Sequence, residues 1–293
     1  MLPYVGLSLL AAFAFAFSSI SQKLASKHGI VNHWVFLVYY YLTYVPFLLM
    51  IPVLFPVSFP SGNWLLIFLY ALAFFVGNIF FTTAIYKVDV STFAPFFQLQ
   101  SAFIAILAFA FLGERFSSIN YLLIAIMILG SILVSMDEKM SIKNYFSLAT
   151  FLIILQQICH ALSNLAAGTA LKTLNSFTFM FWGDLISMFF VLALIPIIGF
   201  KNFKIPFAKI KPLFASGLFS TIGALSLFSA FAYNVTLSSA LSLLTSPIVL
   251  IVSVLASWKL PDLLEKHTLR VYGIRAIGVL LILAAAIKLA LVS

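Results

Sequence analysis

FAFLGERFSSINYLLIAIMILGSILV, residues 109–134, sets Glu114 and Arg115 side by side between two apolar runs. Only 8% of the 293 residues are charged, while 64% are hydrophobic. The run after Arg115 does not alternate between apolar and polar, so it reads as a helix and not as a barrel strand. Soluble domains carry about 25% charged residues; this chain cannot keep a soluble surface wet. Mean hydropathy is +1.19. A hydrocarbon core about 30 Å thick needs about 20 helical residues, and backbone groups in lipid must be satisfied within the spanning segment. The fold class that follows is an all-α polytopic membrane protein.

Polar, Pro and Gly breaks divide the chain into ten apolar segments, near 3–22, 33–56, 63–86, 90–112, 118–136, 145–168, 176–199, 212–234, 236–258 and 270–292. Connections are short, with Lys87-Val88-Asp89 joining the third and fourth. Such turns make neighbouring helices antiparallel, and none holds a soluble domain. Met1-Leu2-Pro3-Tyr4 lacks a positive n-region, so the first segment reads as a retained span. The polar stretch Met136–Lys143 splits the spans five and five. An odd number per half inverts the second half relative to the first, the inverted-repeat design of many transporters. Two repeats are expected, residues 1–138 and 139–293.

The halves carry matching marks. At a shift of 147, Ser91, Pro95 and Gln98 fall on Ser238, Ser242 and Thr245. At a shift of 148, Glu114 falls on Asp262 and Gly130 on Gly278. Ile51-Pro52 matches Ile195-Pro196 at 144.

Phe109-Ala-Phe-Leu-Gly-Glu114-Arg115-Phe-Ser-Ser, followed by an apolar span with Gly130 and Ser131, resembles the repeat signature of EamA-type transporters in the drug/metabolite transporter superfamily. The resemblance implies ten helices in two inverted five-helix repeats. It also implies a central path lined by the third, fourth, eighth and ninth helices. In it, Glu114 and Gly130 mark the family-motif turn and its following span. The sequence departs from the family at Ser101, where a proline is usual, and in its second span, where Tyr39-Tyr40-Tyr41 stands in place of an early arginine. It resembles a divergent member.

Candidate pathway residues are polar side chains inside the spans. Asp184, in Trp182-Gly183-Asp184, is the only carboxylate well inside one. A central Asp costs about 2.5–3.5 kcal/mol on insertion scales, so such residues face a cavity or a partner. Asp184 is a candidate proton-coupling site or counter-charge for a cationic substrate; the competing reading is a hydrogen-bonded structural Asp. In the sixth span, Gln156, His160 and Asn164 follow at i, i+4 and i+8, with Gln157 alongside. That polar face is expected to turn toward Asp184. Asn78 in the third span, Gln98 and Ser101 in the fourth, and Ser238, Ser242, Thr245 and Ser246 on one face of the ninth complete the set. The serines equally suit helix-to-helix packing. Tyr39, Tyr40, Tyr41 and Tyr44 could offer cation–π contacts, though ring packing explains them as well.

The net charge of +9 does not point to nucleic acid, because the cations are scattered through short loops. Loops after odd-numbered spans hold 13 of the 16 Lys and Arg. By the positive-inside rule both termini face outward, whereas the family analogy puts both inside. Cys159 is the lone cysteine, which leaves no intrachain disulfide or cysteine metal cluster. No Walker-type loop is present, so ATP is not the direct energy source. The expected partners are the bilayer of a bacterial-type inner membrane, a small-molecule substrate and a coupling proton. No cofactor, metal or nucleic acid is implied, and oligomeric state is open. A secondary transporter is the leading function. An intramembrane enzyme or an uncoupled channel or scaffold is the alternative.

Overall fold

The computed structural model describes residues 3–28, 30, 32–85, 99–136, 148–256 and 268–292. Among them the regular structure is helical: α1 Pro3–His28, α2 His33–Leu54, α3 Trp64–Ile85, α4 Leu99–Leu107, α5 Ser118–Val134, α6 Leu148–Ala170, α7 Ser176–Leu192, α8 Phe207–Phe231, α9 Val235–Ser242, α10 Thr245–Ala256 and α11 Leu269–Val292. Among the described residues eight stretches are long and apolar enough to cross a membrane, and two shorter apolar helices lie at Leu99–Leu112 and Ser118–Val134. Large apolar side chains such as Phe109, Phe111, Leu122, Leu280 and Ile287 point outward. In water that pattern would mark an aggregating surface; facing lipid tails, it costs nothing. The protein is an integral, multi-pass membrane protein.

The helix starts follow from local chemistry. Asn32, Ser117, Asn175 and Asn234 cap α2, α5, α7 and α9, each accepting a backbone N–H of the first turn. α8 begins at Phe207, five residues before the segment read from sequence, because Pro206 takes the N-cap position and Pro212 is tolerated inside the helix. The ninth segment is not one helix. It breaks after Ser242, since Pro247 has no N–H to give the Leu243 carbonyl, and tight bonds from Leu243 N to Ala240 O and from Leu244 N to Leu241 O close the turn. α4 ends in one π-helical turn, Ala108–Leu112, stopped by Gly113 at φ 69°, a left-handed position suited to glycine.

Side chains at one end of the bundle bring together Leu7 near the start of α1, Phe55 after α2, Phe177 in α7 and Ser229 in α8. This is the termini face; the opposite, basic face carries the loop with Lys201 and Lys204. α1 packs along α8, α3 along α6, and α5 along α11. α2 lies against both α8 and α7, and α7 also meets α3. The α5–α11 crossing is closest at two glycines. A Cβ on Gly278 would stand 2.5 Å from the Gly130 carbonyl oxygen, and one on Gly130 would stand 2.9 Å from the Gly278 oxygen.

Glu114 does more than mark a turn. Its carboxylate reaches across to α9 and accepts from Val235 N at 3.1 Å, Thr236 N at 3.3 Å and Thr236 Oγ1 at 2.5 Å. Asn234 Oδ1 takes the next amide, Leu237 N, at 2.7 Å. Together they satisfy the first three donors of α9 and place negative charge at a helix N-terminus. Glu114→Ala is expected to destabilise the protein by about 2 kcal/mol, the scale of a lost charged cap. Thermal unfolding in detergent checks this, with Glu114→Gln falling between the two.

Candidate functional site

Asp184 is the ninth residue of the seventeen in α7, so it lies about 12 Å from either end at 1.5 Å per residue. It is 7% exposed. Both carboxylate oxygens are occupied: Tyr70 of α3 donates to Oδ1 at 2.8 Å, and Tyr44 of α2 donates to Oδ2. A buried carboxylate without such donors would be costly. Gly183 makes the arrangement possible, since a Cβ there would stand 2.8 Å from the Tyr70 ring. The Tyr70 ring is fixed by stacking on Phe74 and by edge contacts with Phe179 and Phe228. Three helices thus meet at one carboxylate.

The run of tyrosines in α2 supplies hydroxyls to four places. Tyr39 donates to the Phe203 carbonyl. Tyr40 bonds Ser220 of α8 at 3.2 Å. Tyr41 accepts from Asn78 Nδ2 at 2.9 Å, and Tyr44 holds Asp184. Sequence reading missed Tyr44 and Tyr70 as partners of Asp184. The available signal was spacing: Tyr40 and Tyr44 stand at i, i+4 on an apolar helix, and a tyrosine hydroxyl there needs a partner.

The polar face of α6 is placed differently from expectation. Gln157 donates to Gln156 Oε1, and Gln156 Nε2 lies 3.5 Å from His160 Nδ1. The His160 ring stacks on Phe74, 5.1 Å between centroids, and lies over Gly77, where a Cβ would stand 2.6 Å from it. His160 therefore faces α3, and Phe74 and Tyr70 stand between it and Asp184. His160 Nε2 and Gln157 Oε1 are buried without a hydrogen-bond partner among the described residues. Asn164 is buried one turn further along α6.

The remaining candidates lie apart from Asp184. Ser101 donates to the Ser239 carbonyl at 3.2 Å, tying α4 to α9. Ser242 bonds back to Ser239 O at 2.6 Å, and Thr245 donates to Ala12 O at 3.3 Å in α1. The break after Ser242 puts these two on separate helices, so the single polar face read from spacing does not form. Gln98 and Asp262 lie outside the described residues, as do Ser91, the Lys87–Asp89 turn and residues 137–143 of the mid-chain linker.

A recess of about 210 Å³ opens on the termini face beside Phe55, Phe177 and Ser229. On the termini face, Trp182 Nε1 donates to Ser58 O, Ser58 N donates to Thr178 Oγ1, and Ser176 bonds Ser229. Phe59, Trp64 and Trp182 pack edge to face there. On the basic face a recess of about 270 Å³ opens beside Asn32, Asn202, Lys204 and Lys209. Among the described residues no three of His, Cys, Asp and Glu gather as a metal site.

Residues 2–136 match the EamA-like transporter family. The EamA-like match upholds the resemblance carried by Gly113, Glu114 and Gly130, and extends it over the first half of the chain. It is a family of transporters and not of enzymes. A crystal structure of another protein aligns with a TM-score of 0.70 over 98% of this chain and 96% of its own, at 11% identity, which is a likeness of fold alone. No curated protein matches the chain in sequence.

Proposed function

We propose that the protein is a secondary transporter, moving a small metabolite or a cationic, amphipathic compound by alternating access, with Asp184 as its proton-coupling carboxylate. The observation that carries this is the Asp184 site itself. A carboxylate at mid-span, held by hydroxyls from two other helices, ties its protonation to the relative placement of α2, α3 and α7. A purely structural role would be met as well by a neutral side chain at lower cost. The EamA-like match supports transport as the activity.

The ten-span, two-repeat reading has its own support. Among the described residues, eight long apolar stretches and two shorter apolar helices support a count of ten, and the family match ends at residue 136, close to the proposed division of 1–138 from 139–293. If spans one to five correspond to spans six to ten, a two-fold relation turns each contact i–j into a contact j–i. The α1–α8 pair then corresponds to α6–α3, and α2–α8 to α7–α3. The α5–α11 pair maps onto itself, and its crossing joins Gly130 to Gly278, the residues equated by the shift of 148.

Recesses open on both faces, about 210 Å³ beside Phe55 and Phe177 on the termini face and about 270 Å³ beside Lys204 and Lys209 on the basic face. By the positive-inside rule the basic face is cytoplasmic, with both termini outside, in a bacterial-type inner membrane. Gln98, Ser101, Asn78, Gln156, His160, Asn164, Ser242 and Thr245 remain candidate path residues.

Counterflow in proteoliposomes, run against a panel of amino acids, amine metabolites and lipophilic cations, tests the reading. Saturable uptake accelerated by internal unlabelled solute is expected. Flux that neither saturates nor shows trans-stimulation would identify a channel instead.

A further inference from the structure

A second buried polar network runs beside Asp184. Ser18 of α1 bonds Ser220 of α8 at 2.8 Å and Ser216 at 2.9 Å, and Ser220 bonds Tyr40 of α2 at 3.2 Å. In each pair either oxygen can donate. Gln22, half-buried and one turn nearer the basic end of α1, donates into Ser18 at 3.1 Å. Ser18, Ser216 and Ser220 are 2%, 0% and 7% exposed, so their hydroxyls are out of contact with lipid and bulk water. Tyr40 and Tyr44 lie one turn apart on the same helix, about 6 Å along its axis, and Tyr44 holds Asp184.

Helix packing alone does not ask for this pattern. Small residues let helices approach, and isolated serines satisfy themselves by bonding back one turn, as Thr221 does to Gly217 O and Ser226 to Ile222 O. Ser18 and Ser220 instead bond across three helices, hydroxyl to hydroxyl, in a line that ends at the tyrosines around Asp184.

We propose that Ser18, Ser220 and Tyr40 form a proton relay from the basic face to Asp184 through Tyr44. The proposal rests on the reading of Asp184 as the coupling carboxylate. Each hydroxyl accepts a proton on its oxygen and releases the one it carried to the next, and rotation of the hydroxyls resets the relay after each passage. The net step takes one proton from water that reaches the Ser18 oxygen when the Gln22 side chain swings aside, and places it on the Asp184 carboxylate. Gln22 donates its amide proton into Ser18 and thereby turns the Ser18 hydroxyl toward Ser216 and Ser220. The relay requires one water to span the turn between Tyr40 and Tyr44. Ser216 is a side branch that leads no further.

The groups that meet Asp184 on its neighbours are few. α2 brings Tyr40, Tyr41 and Tyr44, and α3 brings Tyr70. α8 brings Ser220 at the level of Tyr40, with its lysines, Lys209 and Lys211, in its first turn and a half. His160 of α6 lies behind Phe74. Among the described residues, hydroxyls and not charges line the approach.

The test is a pH jump on the full-length protein, followed by time-resolved infrared absorption. The carboxylic C=O band that is missing in Asp184→Asn reports protonation of Asp184. Ser220→Ala is expected to reach the wild-type amplitude at a rate lower by about 100-fold or more, the scale of a lost proton-transfer group. Ser220→Thr should restore the rate, and Ser216→Ala should match wild type. An unchanged rate in Ser220→Ala, or equal slowing in Ser216→Ala, would overturn the relay and leave the coupling role standing. A wild-type protein in which Asp184 shows no titrating band would overturn both, while counterflow still decides whether it is a transporter.

Discussion

Asp184→Asn is expected to lower pH-gradient-driven accumulation of the transported solute by about 10- to 100-fold, the range of a 1–3 kcal/mol coupling free energy, while the protein stays folded. Asparagine has nearly the same shape and can still bond both hydroxyls, accepting from one and donating to the other once that tyrosine rotates. It cannot take up and release a proton. A structural Asp184 would give the opposite pattern, with accumulation and its pH dependence kept. Tyr44 and Tyr70 come from different helices. Protonating the carboxylate removes one acceptor and adds a donor, which changes what α2 and α3 can bond at the same point. Uptake by proteoliposomes with an imposed pH gradient, wild type beside Asp184→Asn, is the measurement.

The largest stability effect belongs to the glycine crossing. Gly278→Val is expected to destabilise the protein by about 3 kcal/mol or more, because overpacking here meets main chain. The nearest atoms to a new Cβ are the Gly130 oxygen at 2.5 Å and the Val134 nitrogen at 2.8 Å, and neither can rotate away. Gly183 and Gly77 differ, since the obstacles there are the rings of Tyr70 and His160. Gly6→Ala and Gly273→Ala, with open space around them, should leave the unfolding temperature unchanged. Thermal unfolding in a mild detergent separates the three.

The membrane class and the positions of most helices were legible in the sequence, since both depend on local hydropathy, Pro and cap residues. Asp184 stood out for a related reason: a single carboxylate in an apolar span is an energetic exception that composition alone exposes. What surrounds it was not legible. Tyr44 and Tyr70 lie 140 and 114 positions away in the chain, and which helix faces meet is a tertiary outcome. The same holds for His160, whose polar face turns to Phe74 and Gly77. Glu114 was read only as a mark of the family-motif turn. Its reach to the first amides of α9 depends on how two distant turns sit on the termini face. The break in the ninth segment could have been foreseen from Pro247, but the Ser238, Ser242 and Thr245 spacing argued for one continuous face.

Coupled transport through Asp184 is tested most directly by recording solute and proton movement together in the same proteoliposomes. A pH-sensitive dye trapped inside reports protons while labelled solute reports uptake. Wild type is expected to move protons whenever it accumulates solute, and Asp184→Asn to exchange solute with no proton signal. Solute accumulation by Asp184→Asn with the wild-type proton signal would contradict the role given to this carboxylate.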